Sequence, residues 1–234
     1  MGKPTSGGAG GSGGRQRAVP PPLVVAPPAR NITITGQAGI EKLQRVFGRQ
    51  LSSDEVGDMI GAPDGSRITV TSGGGSTFFE VKHPHVKKMK SKINTINGIL
   101  MLYNDSIVLN KKAPPGSGTQ IINRQVEAAR QLGIKNIGLF AAGSKKSTTY
   151  NGYYTWTRLG FDGNTPTSMV SRIPAEIKST MRDNTMLELY RTQAGRDWWR
   201  ANGSGVRVGF DTSPNSKSSQ ALDAYNEERR NRSG

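Results

Sequence analysis

A strand, a glycine turn, a helix and a second strand follow one another between positions 107 and 163, and this pattern constrains the fold more than any other feature of the chain. A short β-rich run at 106–109 precedes the Pro-Gly-Ser-Gly-Thr turn at 115–119. Apolar residues then recur every three or four positions within 122–132, which places them on one face of a helix. The run at 136–142 is a second apolar strand. The sequence therefore predicts an α/β unit with a glycine turn where the first strand meets the helix.

The glycine turn predicts an anion site. Gly-x-Gly at a strand-to-helix junction leaves backbone N–H groups without partners at the positive end of a helix dipole, and phosphate is the usual ligand of such sites. A tight turn without a ligand explains the two glycines equally well. The turn is not a Walker A loop, because no Gly-Lys-Ser/Thr follows, and it lacks the third glycine of a dinucleotide fingerprint. A phosphate-bearing cofactor is the first hypothesis.

These segments together resemble a known cofactor-binding core. The glycine turn, the helix at 120–132, the Gly-Ile-Lys-Asn-Ile run at 133–137 and the closing Leu-Gly-Phe at 159–161 resemble the GNAT superfamily of N-acetyltransferases. The likeness covers 31–165 in the order of elements and 106–163 at the level of motifs. It implies an α/β (α+β) fold with a mixed, mostly antiparallel central sheet flanked by helices.

The resemblance also implies acetyl-CoA as the cofactor, with its pyrophosphate on the glycine turn and its pantetheine arm along the following strand. The aromatic run at 151–162 is similar to acetyltransferase-like proteins of phages and environmental bacteria. The cofactor-binding residues that the resemblance implies are Leu109, Asn110, Gly116, Ser117, Gly118, Thr119 and Trp156.

The chain departs from the family pattern at two positions. The family usually has Arg or Gln before the first glycine of the turn, where this chain has Pro114 and Pro115. The family often has a tyrosine that protonates the CoA thiolate at the position of Trp156. An indole N–H donates a hydrogen bond but does not release its proton, so these two differences bear on the chemistry more than on the fold.

An acetyltransferase also needs a base for the attacking amine and an acid for the thiolate. Tyr153 or Tyr154 is the candidate for the missing acid. Glu80, His83 and Asp105 are the titratable residues near the cofactor strands in sequence, and Glu80 is our candidate base, although nothing in the sequence singles one of them out. The amine acceptor is not identified by any motif.

Composition limits the classes of function. The 234 residues include 32 basic and 17 acidic ones, which gives a net charge of +15. That charge favours an acidic partner, although solubility and a basic tail explain it equally well. The absence of cysteine excludes disulfides, a thiol nucleophile and cysteine metal sites, and it fits a cytoplasmic protein. No apolar run reaches the ~18 residues that a membrane span needs.

The chain divides into three predicted regions. Residues 1–30 form a Gly/Pro-rich basic arm, which is either a disordered tail or an anchor on an acidic partner such as a protein assembly or a nucleic acid. Residues 31–165 form the GNAT-like core, and 166–234 are an extension that completes or decorates it. The rival function is a catalytically inactive structural protein of a phage virion, which makes the virion the second candidate location; a homo- or hetero-oligomer is compatible with both.

The lysine-rich run at 82–92 has three interpretations. We favour a solvated insertion over a basic patch for an acidic partner, and a metal site at His83 and His85 lacks a third ligand in local register. Nucleic-acid binding is a third class of function for the chain. Acetylation of an amine on RNA would combine nucleic-acid binding with the acetyltransferase function. Against it, no recognised module is present and the aromatic residues are not interleaved with the lysines.

The remaining predictions concern single elements. Hairpins are expected at 67–81 and at 99–109, the second turning at Asn104-Asp105. A helix is expected at 175–190, and paired tryptophans at 198–199 are expected to anchor the core or an interface.

Overall fold

Seven strands form one sheet whose spatial order is also their order in the chain. The computed structural model describes residues 30–233. The strands are Thr33–Thr35 (β1), Arg67–Gly73 (β2), Ser76–Lys82 (β3), Val86–Ile96 (β4), Ile99–Leu109 (β5), Asn136–Ser144 (β6) and Ser204–Asp211 (β7). The helices of the described residues are Gln37–Phe47 (α1), Ser53–Met59 (α2), Ser117–Gln131 (α3), Gly152–Arg158 (α4), Thr167–Val170 (α5), Ala175–Lys178 (α6), Met186–Tyr190 (α7), Gln193–Asn202 (α8) and Lys217–Ser233 (α9).

Most neighbouring strands are antiparallel. The pairs from β2 to β5 and the pair β6–β7 are antiparallel, whereas β1–β2 and β5–β6 are parallel. The predicted α/β (α+β) class, with a mixed and mostly antiparallel central sheet flanked by helices, is confirmed. The first 29 residues of the predicted arm lie outside the described part of the chain.

The core lies on one face of this sheet. Strand residues point alternately to the two faces, and one set is buried under the helices. Cross-strand neighbours such as Val70 with Phe79 and Ile137 with Phe210 belong to this buried set. The other face, which we call the open face, carries exposed or half-buried residues: Arg67, Thr69, Thr71, Phe78, Glu80, Lys82, Lys88, Lys90, Lys92, Asn94, Tyr103, Asp105, Ser106, Phe140, Arg207 and Asp211.

The α1 helix approaches β2 closely because glycine stands at the contact. A Cβ atom at Gly36, where φ is +104°, would lie 1.9 Å from the carbonyl oxygen of Val70. Only a residue without a side chain fits there, in a left-handed conformation that glycine adopts without strain. The helix runs from Gln37 to Phe47.

Arg30 belongs to the folded domain and not to the arm. Its guanidinium forms ion pairs with Asp58 and Asp64 and donates to the carbonyl of Ala62, while its own amide donates to Asp54. The side chain is 11% exposed. The prediction that Arg30 belongs to the basic arm is therefore wrong, and its acidic partners lie 24 to 34 positions later in the chain.

Three predicted elements differ in the structure. The lysine-rich run is not an insertion, since it includes the end of β3 at Lys82 and the first part of β4, which begins at Val86. The predicted hairpin at 99–109 is one strand, β5, with Asp105 as an extra residue in a bulge opposite β4. The predicted helix at 175–190 is two short helices, α6 and α7, separated by a turn.

The C-terminal region is part of the same fold. It contributes β7 to the sheet, and α9 packs beside α3. The amides of Asn123 and Asn226 exchange hydrogen bonds of 3.3 and 3.0 Å. Arg130 donates to the carbonyl of Thr212 and to the hydroxyl of Ser219. The last turn of α9 is therefore fixed close to the first turn of α3.

The start of α2 is stabilised by a capping box. The Ser52 hydroxyl accepts from the Glu55 amide, and the Glu55 carboxylate accepts from the Ser52 amide. The hydrogen bond from Arg49, followed by that from the Ser52 amide, lowers the pKa of Glu55 from its ordinary 4.5 to about 2.

This shift predicts a stability change at acid pH. A carboxyl whose pKa is lower in the folded state stabilises the fold above its unfolded pKa and loses that contribution as the pH falls through the folded value. Because the ion pair with Arg49 is exposed, we expect Glu55→Gln to lower the free energy of unfolding by about 0.5–1 kcal/mol at pH 7. Urea unfolding at pH 7, 4 and 2.5 should show the wild-type and variant curves converging. A constant difference across these pH values would contradict the assignment.

Within residues 30–233, no helix combines the length and the apolar character that crossing a bilayer requires.

Candidate functional site

The sheet opens between its two parallel central strands. β5 and β6 are paired only over Met101–Asn104 and Asn136–Leu139. Beyond this point β5 continues beside β4 to Leu109, and β6 continues beside β7. We call the space between 105–109 and 140–144 the opening. Ligands of parallel strand pairs bind outside the carboxyl ends of the strands, which is where this opening lies.

A bulge and a buried polar network mark the start of the opening. Asp105 is the extra residue of the bulge, which bends and twists a strand away from regular pairing. Asn104, the last β5 residue paired with β6, accepts from Ser91 at 2.8 Å and donates to Gln125 at 2.8 Å. Gln125 in turn donates to the Ile60 carbonyl at 2.8 Å. The network ties β4, β5, α2 and α3 together at the point where the strands separate.

The glycine turn, residues 116–119, lies at the carboxyl end of β5. Gly116 is the N-cap of α3 with φ +87°, and the helix has no side-chain cap. The Ser117 amide donates to Pro114 and the Gln120 amide to Gly116. The amides of Gly118 and Thr119 are the N2 and N3 donors that a capping side chain normally satisfies, and glycine has none to offer. They are available to an anion.

The C-terminal helix places arginine side chains against this turn. The Arg229 guanidinium lies so close to Gly116 that a Cβ atom there would be 2.6 Å from Nη2. Arg229, Arg230 and Asn226 line a recess of ≈ 330 Å³ together with Pro115 and Thr119. Two arginines therefore lie beside the turn, although they come from a helix more than 100 residues later in the chain.

A second recess, of ≈ 250 Å³, lies on the other side of the turn. His83 and His85 line it together with Leu109, Ser117 and Arg124. Burial, and then the neighbouring His85, lowers the pKa of His83, so its imidazole is neutral at pH 7. Its Nδ1 accepts from the His85 amide at 3.1 Å, which leaves the proton on Nε2.

The residues beside the turn have separate roles. Leu109 lies 4.0 Å from the position of a Cβ atom at Gly118, so it forms the wall of the turn. The Asn110 side-chain amide donates to the Pro84 carbonyl at 2.7 Å and fixes the loop. The Ser117 hydroxyl donates to Pro114 at 2.7 Å.

The two tyrosine candidates lie on α4, at the end of β6. They line a recess of ≈ 510 Å³ with Ser144, Tyr150 and other residues. The Tyr153 hydroxyl donates to the Arg200 carbonyl at 2.9 Å and its residue is buried. Tyr154 is half-buried, with Arg200 and Arg158 over its ring. Of the two hydroxyls, that of Tyr153 is therefore held by the protein itself.

Trp156 and Tyr190 complete this aromatic cluster. Trp156 packs edge-on against Phe161, with their ring centroids 5.6 Å apart. The Tyr190 hydroxyl donates to the Tyr154 carbonyl at 3.2 Å, and burial raises the Tyr190 pKa far above its usual range. Tyr190 is thus a neutral structural donor at every physiological pH.

The structure does not bring Glu80 to the glycine turn. Glu80 lies on the open face in β3, two strands from β5, with its carboxylate 3.1 Å from Lys90 Nζ. Asp105 is on the same face, 3.2 Å from Lys92 Nζ. Of the three titratable candidates, His83 alone lines a recess at the turn together with Ser117. The sequence alone does not distinguish His83 from Glu80 and Asp105 as the candidate base, because the burial and the tautomer of its imidazole depend on the turn between β3 and β4.

Among residues 30–233, no three His, Asp or Glu side chains are grouped so as to hold a metal ion. No family model matches the chain, and no curated protein matches it.

Proposed function

We propose that the chain binds an acyl-CoA at the opening and transfers its acetyl group to an amine, as a GNAT-like N-acetyltransferase. The observation that carries the proposal is the parallel β5–β6 pair, which separates after four residues beside the uncapped N-terminus of α3. The order of a strand, two helices, antiparallel strands, a helix, a strand and a helix agrees with the order that the resemblance implies.

The residues at the glycine turn fit a diphosphate. The amides of Gly118 and Thr119 stand at the positive end of a helix of 15 residues. Arg229 and Arg230 add two guanidinium groups, which form charge-assisted hydrogen bonds with phosphate oxygens. They replace the cation that Pro115 removes from the family pattern. The unpaired backbone edges of 105–109 and 140–144 would orient an extended pantetheine arm.

Acetyl-CoA, when bound, supplies the acetyl group as a thioester that an amine attacks. The candidate base is the neutral imidazole of His83, which lines the recess beside the turn. Its Nδ1 lone pair accepts from the His85 amide, so this hydrogen bond would have to break before the ring takes a proton. Tyr154 is the better candidate for the acid, since the Tyr153 hydroxyl is already bonded to Arg200. These groups would take the proton from the amine and return one to the leaving thiolate.

The alternative function is a catalytically inactive GNAT-like protein of a virion. Two observations favour it over the enzyme: Trp156 stands where the family often has its acid, and the Tyr153 hydroxyl already donates to the Arg200 carbonyl. Its location would be the virion, whereas the enzyme would act in the cytoplasm. Under either function, the acidic partner of the arm and the oligomeric state are proposals. The acceptor amine is a proposal under the enzyme.

The proposal predicts that acetyl-CoA stabilises the protein. A ligand at 100 times its Kd should raise the free energy of unfolding by about 2.7 kcal/mol, visible as a higher melting temperature. Gly118→Leu should remove this shift, because its side chain would occupy the phosphate site. Gly73→Leu is the matched control, since Gly73 also has open space around it but lies in the β2–β3 hairpin.

The contribution of Arg229 to acetyl-CoA binding is measured against that of a second arginine in the same helix. Arg229→Gln should weaken acetyl-CoA binding about 10- to 100-fold, the cost of a charge-assisted bond. Arg232→Gln, in the same last turn and paired with Glu228, should leave affinity unchanged. Release of free thiol on adding amines then separates the functions: binding with thiol release supports the enzyme, and binding without it supports the inactive protein. No thermal shift at saturating acetyl-CoA would contradict both.

A further inference from the structure

The open face combines exposed aromatic rings with lysines across its strands. One row of cross-strand neighbours runs over the whole width of the sheet from β2 to β7. Its members are Thr71, Phe78, Lys92, Tyr103, Gly138 and Gly209. Neighbouring strands are about 4.8 Å apart, so Phe78 and Tyr103 stand roughly 10 Å apart with Lys92 between them. Aromatic and basic side chains therefore alternate across the sheet, although they do not alternate along the chain.

Glycines on the neighbouring strands let two of the rings lie on the sheet. A Cβ atom at Gly138 would be 2.9 Å from Tyr103 Cδ2, and one at Gly205 would be 2.6 Å from Phe140 Cζ. Each ring thus covers a glycine of the adjacent strand. Even so, Phe140 remains 52% exposed and Phe78 36% exposed. These flat apolar surfaces face outward from a sheet whose other face already contains the core.

The charge of this face is positive. Its cations are Arg67, Lys82, Lys88, Lys90, Lys92 and Arg207, and its acids are Glu80, Asp105 and Asp211. Glu80 pairs with Lys90 and Asp105 with Lys92, and the Lys92 ammonium also lies 4.9 Å from the centre of the Tyr103 ring. The remaining cations, Arg67, Lys82, Lys88 and Arg207, lie on one side of the aromatic row, toward the carboxyl ends of β5 and β6.

We infer that the open face binds single-stranded nucleic acid. Bases stack on exposed aromatic rings, and lysines track the phosphates, with little dependence on sequence. An acidic protein would match the lysines but would not account for the two exposed rings, those of Phe78 and Phe140. The first 29 residues of the chain hold three basic residues and no acidic one, so they do not complement a basic face. A second copy of the same face is excluded on the same ground of charge. The inference is independent of the proposed acetyltransferase function.

The test uses fluorescence anisotropy with the full chain and labelled dT20, rU20 and a 20-base-pair duplex. We expect both single strands to bind more tightly than the duplex, and log K to fall with log salt at a slope of about −0.7 per phosphate contact. Phe78→Ala and Phe140→Ala should each weaken single-strand binding about 5- to 100-fold. Tyr150→Ala is the matched control, an exposed ring outside this face, and should have no effect.

Charge variants keep the test valid if a ring variant unfolds. Lys82→Gln with Lys88→Gln should reduce the salt slope by about 1.4, whereas Lys145→Gln with Lys146→Gln, in the loop after β6, should not. Preference for dT20 or rU20 would identify the natural strand as DNA or RNA. Equal binding of duplex and single strands with no effect of the rings would overturn the inference. So would an equal loss from Arg15→Gln with Arg17→Gln, which would assign binding to the arm.

Discussion

Replacement of Trp199 by alanine is expected to lower the free energy of unfolding by about 3–5 kcal/mol, the usual cost of deleting a fully buried large aromatic side chain. Trp199 is 0% exposed, and its indole N–H donates to the Tyr153 carbonyl at 2.8 Å. The ring also contacts Gly203 so closely that a Cβ atom there would be 2.4 Å from Cε2. The substitution would leave a cavity and remove the hydrogen bond that joins α8 to α4.

The neighbouring tryptophan is the control for this prediction. Trp198 is only half-buried, and its ring centroid is 6.4 Å from that of Trp199. We expect Trp198→Ala to cost about 1 kcal/mol. Urea unfolding followed by far-ultraviolet circular dichroism measures both, because the signal does not depend on the tryptophans. Trp199→Phe should fall between them, so that the prediction holds even if the alanine variant does not fold. Equal losses for Trp198→Ala and Trp199→Ala would contradict the assignment of Trp199 as the anchor.

Short-range sequence patterns were sufficient to predict the secondary structure around the glycine turn. The helical period in 122–132 predicted α3, and its buried face is the predicted one. Gly133, with φ +71°, follows the C-cap residue Leu132 and ends the helix in the left-handed conformation that glycine favours. The prediction that the paired tryptophans anchor the core is confirmed for Trp199. These features depend on neighbours within a few residues, which a single sequence contains.

The errors occurred where distant residues decide the structure. Asn104 and Asp105 carry the composition of a turn, but Asn104 finds partners in Ser91 and Gln125, so its amide is buried within a strand. Asp105 becomes a bulge because β4 continues opposite it. Local propensity favoured a hairpin, and tertiary hydrogen bonding outweighed it.

The candidate site shows the same limit. The glycine turn is visible in the sequence. Its contact with α9 was not predictable, because Gly116 and Arg229 are separated by β6, β7 and seven helices or parts of helices. The alternation of Phe78, Lys92 and Tyr103 was likewise hidden, since it exists only in the register of three strands.

The second large effect is expected at Asn104. Asn104→Leu would leave the Ser91 hydroxyl and part of the Gln125 amide without partners in a buried site. We expect a loss of about 2–4 kcal/mol in the free energy of unfolding, because buried polar groups that lose their partners carry the full cost of desolvation. Asn94→Leu, a half-buried asparagine of β4 on the open face, is the matched control and should cost under about 1 kcal/mol.

A double-mutant cycle tests whether the network acts as a unit. Asn104→Leu with Gln125→Leu should cost about 1–2 kcal/mol less than the sum of the single variants, since removing both amides leaves fewer unpaired groups. Because Asn104 is the last β5 residue paired with β6, hydrogen exchange at the amides of 137–139 should also accelerate in the single variant. Additive costs and unchanged exchange would mean that the network does not hold the start of the opening. The separation of the strands would then depend on the bulge at Asp105 alone.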